Sequence, residues 1–382
     1  MSRTIFLLAG EASGDRRGAE LVSALRARDS SLDFVGMGGP LMKAAGVRIV
    51  ADPTGRAVVG IVEVLRNYGY FRRLMAEVLS EMEKARPSVV VGVDYPGFNL
   101  RFLRAARTRL GRDVRLIQYV SPQLWAWNAR RKWGMARFLD AVLCLFPFEP
   151  AIYEGTGLRA VFVGHPLGRV KPADDGKRDC CLFAFFPGSR EREVRAHLPA
   201  LAEAASDLVR RRPGARAAWA AASPAAEAAI RKLVPGAEFF PAEELHRRAW
   251  AGAVCSGTAT LEAAVHGLPC CVVYRVAWPT YWMGRVLIGV PHLAMPNLLA
   301  GGPLLKEFIQ SDLTAKNVAD EILRLADAEE ARAAVLAGYA HVRVSLGDGL
   351  AADRAAGVVL ECSPTVPLRL PRPSGTGRPP RA

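Results

Sequence analysis

Short apolar blocks alternate with longer stretches of helical period along most of the chain. Residues 4–9, 33–35, 47–50, 88–93, 114–120 and 141–145 are such blocks. The run SVVVGVD, residues 88–94, is apolar up to its final Asp94, as in a strand buried on both faces. Between the blocks, residues 16–28 have helical periodicity, and GMGGP (36–40) opens a second helix. The alternation restarts after residue 180, with blocks at 181–186, 215–220, 238–240, 253–255 and 270–274. Such alternation predicts two α/β halves, each a parallel sheet with helices on both faces. Residues 291–302 read as a loop, with a helix from near Leu304, and helices at 315–325, 329–344 and 350–360 close the chain.

One segment has two readings. Ile61, Val64, Leu65, Tyr68, Phe71, Leu74 and Met75 fall at helical spacing, with Arg66, Arg72 and Arg73 interleaved. That pattern suits first an ordinary helix covering the sheet, and as the functional reading an amphipathic, Arg-rich surface resting on a membrane.

Composition narrows the class. A chain of 382 residues, 51% hydrophobic, is long for one core and suits two domains. The polar stretch KPADDGKRD (171–179) supplies the hinge, giving domains at 1–168 and 181–345 with a linker at 169–180. A helix at 346–362 follows, and the Pro/Arg-rich tail 363–382 reads as disordered. Lys and Arg outnumber Asp and Glu, giving a formal net charge of +14. That excess fits phosphate-bearing ligands, an anionic membrane or nucleic acid, but no basic arm argues for nucleic acid. The seven cysteines show no C-x-x-C, so neither a disulfide framework nor a zinc site is expected and a reducing cytoplasm is the default. The charge-poor stretch 286–305 carries Pro291, Pro296 and Pro303, which argues against a transmembrane helix. The histidines show no H-E-x-x-H or paired spacing, so no metal is expected.

Candidate chemistry sits at the ends of the predicted strands, where open parallel sheets bind ligands. In the second half these ends carry Pro187-Gly188-Ser189-Arg190, then VCSGTATLE (254–262), then Tyr274-Arg275. A strand that delivers Ser256-Gly257-Thr258 onto a helix start offers unpaired backbone N–H groups and a positive dipole end. Together with the arginines this points to a diphosphate, with Glu262 one turn on for sugar hydroxyls. In the first half the ends carry Glu11 within GEASGD, Asp94 before Pro96, and Ser121 to Trp127. A carboxylate directly ending a buried strand suits a general base, and suits equally a cap for the helix that follows. Neither G-x-G-x-x-G nor a Walker sequence is present.

Taken together the motifs resemble one family, bacterial lipid-A-disaccharide synthase, a GT-B-type glycosyltransferase. The matching stretches are AGEASGD (9–15), GIVEVL (60–65), VGVDYPGFN (91–99), YVSPQLWAW (119–127), FPFE (146–149), VGHPL (163–167), FPGSRERE (186–193), SGTATLE (256–262), VYR (273–275), MPNLLAG (295–301) and EFIQ (307–310). The resemblance implies a GT-B fold of two Rossmann-like parallel-sheet domains. It implies inverting transfer of 2,3-diacylglucosamine from UDP onto 2,3-diacylglucosamine 1-phosphate, giving a β-1,6 disaccharide 1-phosphate and UDP for lipopolysaccharide, with no cofactor. By resemblance Asp94 is the base, with Glu11, Ser121 and Trp125 on the acceptor side. Ser189, Arg190, Ser256, Gly257, Thr258, Glu262, Arg275 and Asn297 line the UDP-sugar site, with Gln310 nearby. The C-terminal helix is expected to return to the first domain, or to be exchanged within a homodimer. Partners are then the two lipid substrates and the anionic inner face of the cytoplasmic membrane, to which aromatic residues at 276–290 and the segment 61–75 offer apolar surface.

Two positions depart from the family pattern. Gly97 stands where an Asp is usual, and Gly302 where a basic residue is usual. One charge-assisted contact is worth about 1.5–3 kcal/mol, so altered turnover or substrate preference is expected rather than loss of activity. The alternatives are another GT-B enzyme using UDP-GlcNAc, including an epimerase, and a catalytically silent membrane- or nucleic-acid-binding relative.

Overall fold

The computed structural model describes residues 3–54, 68–287 and 289–363. The chain divides into two compact units. The first comprises Met1–Pro122, Arg130–Val163 and Ala352–Ala382, and the second Gln123–Ala129 and Gly164–Ala351.

The first unit is built on seven strands: β1 (Thr4–Ala9), β2 (Asp33–Met37), β3 (Arg48–Ala51), β4 (Val89–Val93), β5 (Arg115–Tyr119), β6 (Ala141–Cys144) and β7 (Arg159–Phe162). All pairs are parallel, in the order β3-β2-β1-β4-β5-β6-β7. Residues 5–9 and 89–93 are buried throughout, which explains their unbroken apolar sequence. Burying each such Val or Leu is worth about 1.5–3 kcal/mol. Strand β7 has no counterpart among the sequence blocks. It is a four-residue edge strand, half-exposed and opened by Arg159.

The second unit holds β8 (Asp179–Phe186), β9 (Arg216–Trp219), β10 (Glu238–Phe239), β11 (Ala249–Cys255), β12 (Cys270–Tyr274) and β13 (Glu307–Ile309). They are again parallel, in the order β10-β9-β8-β11-β12-β13. Each sheet therefore runs outward through its first three strands, returns, and continues on the other side of its first strand.

Two local expectations are corrected. The helix anticipated near Leu304 is instead Met295–Ala300, and the chain beyond it is extended as β13. Pro296 starts that helix and Gly301, at φ 69°, ends it. The first helix begins at Ala12 rather than residue 16, so most of GEASGD is helical. Asp15 there is buried and accepts N–H bonds from Gly39, Leu41 and Met42 at the start of the helix Pro40–Ala44. The helix Tyr68–Ala85 carries the Arg-rich amphipathic segment onward. Residues 61–67 of that segment and the tail from residue 364 lie outside the described residues.

Candidate active site

A sheet that reverses its winding opens a crevice at the carboxyl ends of the two strands flanking the reversal. In the second unit those strands are β8 and β11, with Phe186 opposite Val254. The chain leaves β8 through Pro187-Gly188-Ser189-Arg190 into the helix Glu191–Arg211. It leaves β11 through Ser256-Gly257 into the helix Thr258–His266. Between them lies a cavity of about 290 Å³, lined by both turns, by Glu193 and Glu262, and by an apolar wall of Ala220–Ala222 and Ala242. Two helix N-termini thus border one cavity, and their N–H groups favour an anion.

Each turn depends on glycine. At Gly188 φ is 126°, and a Cβ there would lie 2.8 Å from Cβ of Glu193. Gly257 has φ 145°. Only glycine adopts such angles without strain.

Glu193 organises the β8 turn. Its Oε2 accepts N–H bonds from Ser189 and Arg190, both at 3.2 Å, and its Oε1 accepts from the Arg190 guanidinium at 2.7 Å. Burial acts to raise its carboxyl, and these bonds outweigh burial to leave it below the usual carboxylate range. At the opposite wall, burial and then the charge of Glu243 push the carboxyl of Glu262 up. Arg190 caps its helix and extends into solvent, its side chain 55% exposed.

Beneath the cavity a buried network fixes the strand ends. His197 is wholly buried; its Nδ1–H donates to Pro187 O at 2.7 Å and its Nε2 accepts from Arg275 N–H at 2.8 Å. The backbone donor at Nε2 sets the tautomer, and burial lowers the imidazole pKa below 6.5. The Arg275 guanidinium donates to the carbonyls of Gln310 and Leu313. Gln310 in turn brackets Val276, accepting its N–H at 2.8 Å and donating to its carbonyl at 3.0 Å. Asn297 donates to Leu305 O and Glu307 Oε1 and accepts from Leu305 N–H.

In the first unit the reversal lies between β1 and β4, with Ala9 opposite Val93. Asp94 directly follows β4, at φ 54°, and Tyr95 follows at 43°. The Asp94 carboxylate pairs with Arg17 at 2.9 Å, lies 3.5 Å from Ser13 Oγ, and accepts Tyr95 N–H at 3.0 Å. Its side chain is 28% exposed. The carboxylate at the end of this buried strand is thus partly solvated and ion-paired, with Arg17 as a partner that the sequence did not show. Nor does its side chain cap the following helix, whose N-cap is Tyr95. Across the crevice Glu11 is the exposed N-cap of the helix Ala12–Arg28. Gly10 leaves room for the Tyr95 ring, since a Cβ there would lie 2.2 Å from it.

Among known proteins, the sequence matches the lipid-A-disaccharide synthetase family over residues 5–345. A lipid-A-disaccharide synthase from Geobacter metallireducens is 37% identical over 376 residues, covering 94% of this chain and 97% of its own. The chain belongs to the lipid-A-disaccharide synthetase family. It is a glycosyltransferase of lipid A biosynthesis, acting on a sugar nucleotide and a lipid acceptor. Solved structures show the same GT-B fold at low identity. A putative UDP-N-acetylglucosamine 2-epimerase from Listeria monocytogenes superposes with a TM-score of 0.63 at 16% identity, over 94% of this chain and 96% of that one. Staphylococcus aureus MnaA, solved with UDP, gives 0.62 at 14% identity over 92% and 94%. Among the described residues no helix is long and apolar enough to cross a membrane.

Within this synthetase fold the candidates separate into layers. Ser189, Ser256, Gly257, Thr258 and Glu262 line one cavity, and Arg190 caps the helix beside it. Arg275, Asn297 and Gln310 do not line that cavity: Arg275 and Gln310 are bonded to backbone groups, and Asn297 to Leu305 backbone and the Glu307 carboxylate. Ser121 is also buried, bonded to Pro122 O and Tyr153 Oη. Trp125 belongs to the segment 123–129 grouped with the second unit, where Gly289 N–H donates to Ala126 O. Sequence reasoning passed over Arg17, Glu193 and His197. Glu193 had a signal, standing at the third helical position after Arg190 as in a capping box. Arg17 and His197 had none, their partners being distant in sequence.

Proposed function

We propose that the chain condenses UDP-2,3-diacylglucosamine with 2,3-diacylglucosamine 1-phosphate, and that its two crevices divide the work. The observation that carries this reading is the cavity at the β8–β11 reversal, bordered by two helix N-termini with Glu262 on its wall. Its N–H groups hold the diphosphate, Glu262 takes the ribose hydroxyls, and the alanine wall accommodates a flat base. Ser189, Arg190, Ser256, Gly257 and Thr258 contact the nucleotide. Arg275, Asn297 and Gln310 position that site from beneath.

At the other crevice Asp94 takes the proton of the acceptor 6-hydroxyl. The oxygen attacks the anomeric carbon while its bond to UDP breaks, inverting the configuration. Negative charge grows on the departing diphosphate, where preorganised N–H groups and Arg190 stabilise it. Arg17 and Ser13 orient the Asp94 carboxylate, and Glu11 faces the acceptor. The test is incubation with both substrates: UDP and a tetraacyl disaccharide 1-phosphate are the expected products. No product from protein that still binds UDP contradicts the reading.

We further infer that the enzyme works at an anionic membrane surface on its cytoplasmic side. The helix Trp278–Leu287 exposes Trp278 and Trp282, 53% and 62% accessible, with Tyr281 packed against both. Exposed tryptophans favour the membrane interface. Replacing both with Ser should weaken sedimentation with vesicles severalfold; unchanged sedimentation contradicts the inference.

A further inference from the structure

A second cavity, wholly within the first unit, has a composition that glycosyl transfer does not use. It measures about 230 Å³ and is lined by Leu100, Arg101, Arg104, Arg131, Gly134, Met135 and Phe138. Arg101 and Arg104 stand three residues apart on the helix Pro96–Leu110, so both project from one face. Arg131 approaches from the helix Arg131–Ala136. The floor is Leu100, Met135 and Phe138, with the Arg104 guanidinium 5.5 Å above the Phe138 ring.

No carboxylate lines this cavity, whereas arginines elsewhere in the unit, such as Arg107 with Asp140, are paired. Three guanidiniums around one small space repel one another. The Arg131 side chain registers this: burial first, then the charges of Arg101 and Arg104, lower its pKa. A fork-shaped cation gains most from an anion with several oxygens, because two parallel N–H bonds form at once. The apolar floor admits the carbon atoms next to such an anion. Beside the cavity, Trp133 is 52% exposed with Lys132 at 5.5 Å from its ring, in a run (Arg130 to Arg137) that holds no acid. That combination of basic residues and an exposed indole suits phosphate at a lipid–water boundary.

We propose that Arg101, Arg104 and Arg131 form a phosphate-binding site, separate from the nucleotide cavity, that takes the phosphate of a lipid headgroup or free phosphate. It shares no residue with the proposed transfer site and does not depend on that assignment.

The test uses the full chain and two probes. Inorganic phosphate is titrated by calorimetry, and binding is measured to vesicles of phosphatidylcholine with or without one-fifth phosphatidylglycerol. The variant is Arg101→Gln/Arg104→Gln/Arg131→Gln. A charge-matched control, Arg48→Gln/Arg109→Gln/Arg112→Gln, removes three arginines of the same unit outside the cavity. Each arginine near an anionic surface contributes about 1 kcal/mol, so the cavity variant should lose about a hundredfold in vesicle affinity. The control should lose severalfold at most. If phosphate binds wild type and competes with the vesicles, the headgroup is the source. If phosphate binds and vesicles do not, free phosphate is the ligand. In both cases the cavity variant must lose the binding. Arg101→Gln alone, at an exposed position, should lose severalfold with unchanged thermal unfolding. Equal binding of either probe by wild type and cavity variant, or equal loss in the control, overturns the proposal, as does binding of neither probe by wild type.

Discussion

The φ angles of Asp94, Tyr95 and Val120 are all positive, and two buried carboxamides hold them there. Asn99 Nδ2 donates to the carbonyls of Leu8, Val93 and Asp94, and Gln118 Nε2 to those of Asp94, Tyr119 and Val120. Such angles cost about 1–3 kcal/mol each, most for a β-branched residue such as Val120, and persist only where neighbours enforce them. Gln118→Leu removes the one amide group that donates to these three carbonyls. It should destabilise the protein by about 1–3 kcal/mol in urea unfolding. Because the turn carries Asp94, turnover should fall more than UDP affinity; loss of both alike would assign Gln118 to general stability. At this scale the sequence shows Asp94 through its place after an apolar run. It does not show Arg17, whose partner lies 77 positions away.

Between elements, the proposed nucleotide site rests on the turns after β8 and β11, and glycine decides what each tolerates. A Cβ at Gly188 meets Glu193 at 2.8 Å in a left-handed conformation. Gly188→Ala should therefore cost about 1–3 kcal/mol of stability and weaken UDP binding, read by thermal unfolding and calorimetry. Gly97 and Gly302 behave oppositely, since a Cβ at either meets nothing within 4 Å. Gly97→Asp and Gly302→Lys should change stability by less than about 0.5 kcal/mol, so any change in turnover reports on substrate contacts. The turns were legible because two Gly/Ser turns at strand ends, PGSR and SGT, recur in one half together with arginines. Strands β7 and β13 were not, because they are short, half-exposed edge strands, each opened by a charged residue, Arg159 and Glu307.

Across the whole molecule, three buried histidines of the second unit make stability depend on pH. Burial lowers the pKa of His197, His246 and His266, and His246, stacked between Phe186 and His266, falls to about 3. With folded values below the ordinary 6.5, the unfolded chain binds protons first as pH falls. Their contribution is complete above pH 6.5 and is lost progressively below it, by up to about 1.4 kcal/mol per pH unit for each histidine. The urea midpoint should drop between pH 7 and pH 5.5, and His246→Phe should shrink the drop; a midpoint constant over that range contradicts this. The larger claim concerns the two reversals, β8–β11 holding the nucleotide and β1–β4 supplying the base. Asp94→Asn separates them most directly, with UDP affinity by calorimetry and turnover measured on the same preparation. General-base catalysis is worth about 10²–10⁴ in rate. The account predicts unchanged UDP affinity with turnover reduced by at least about a hundredfold; wild-type turnover, or loss of UDP binding in parallel, would contradict it.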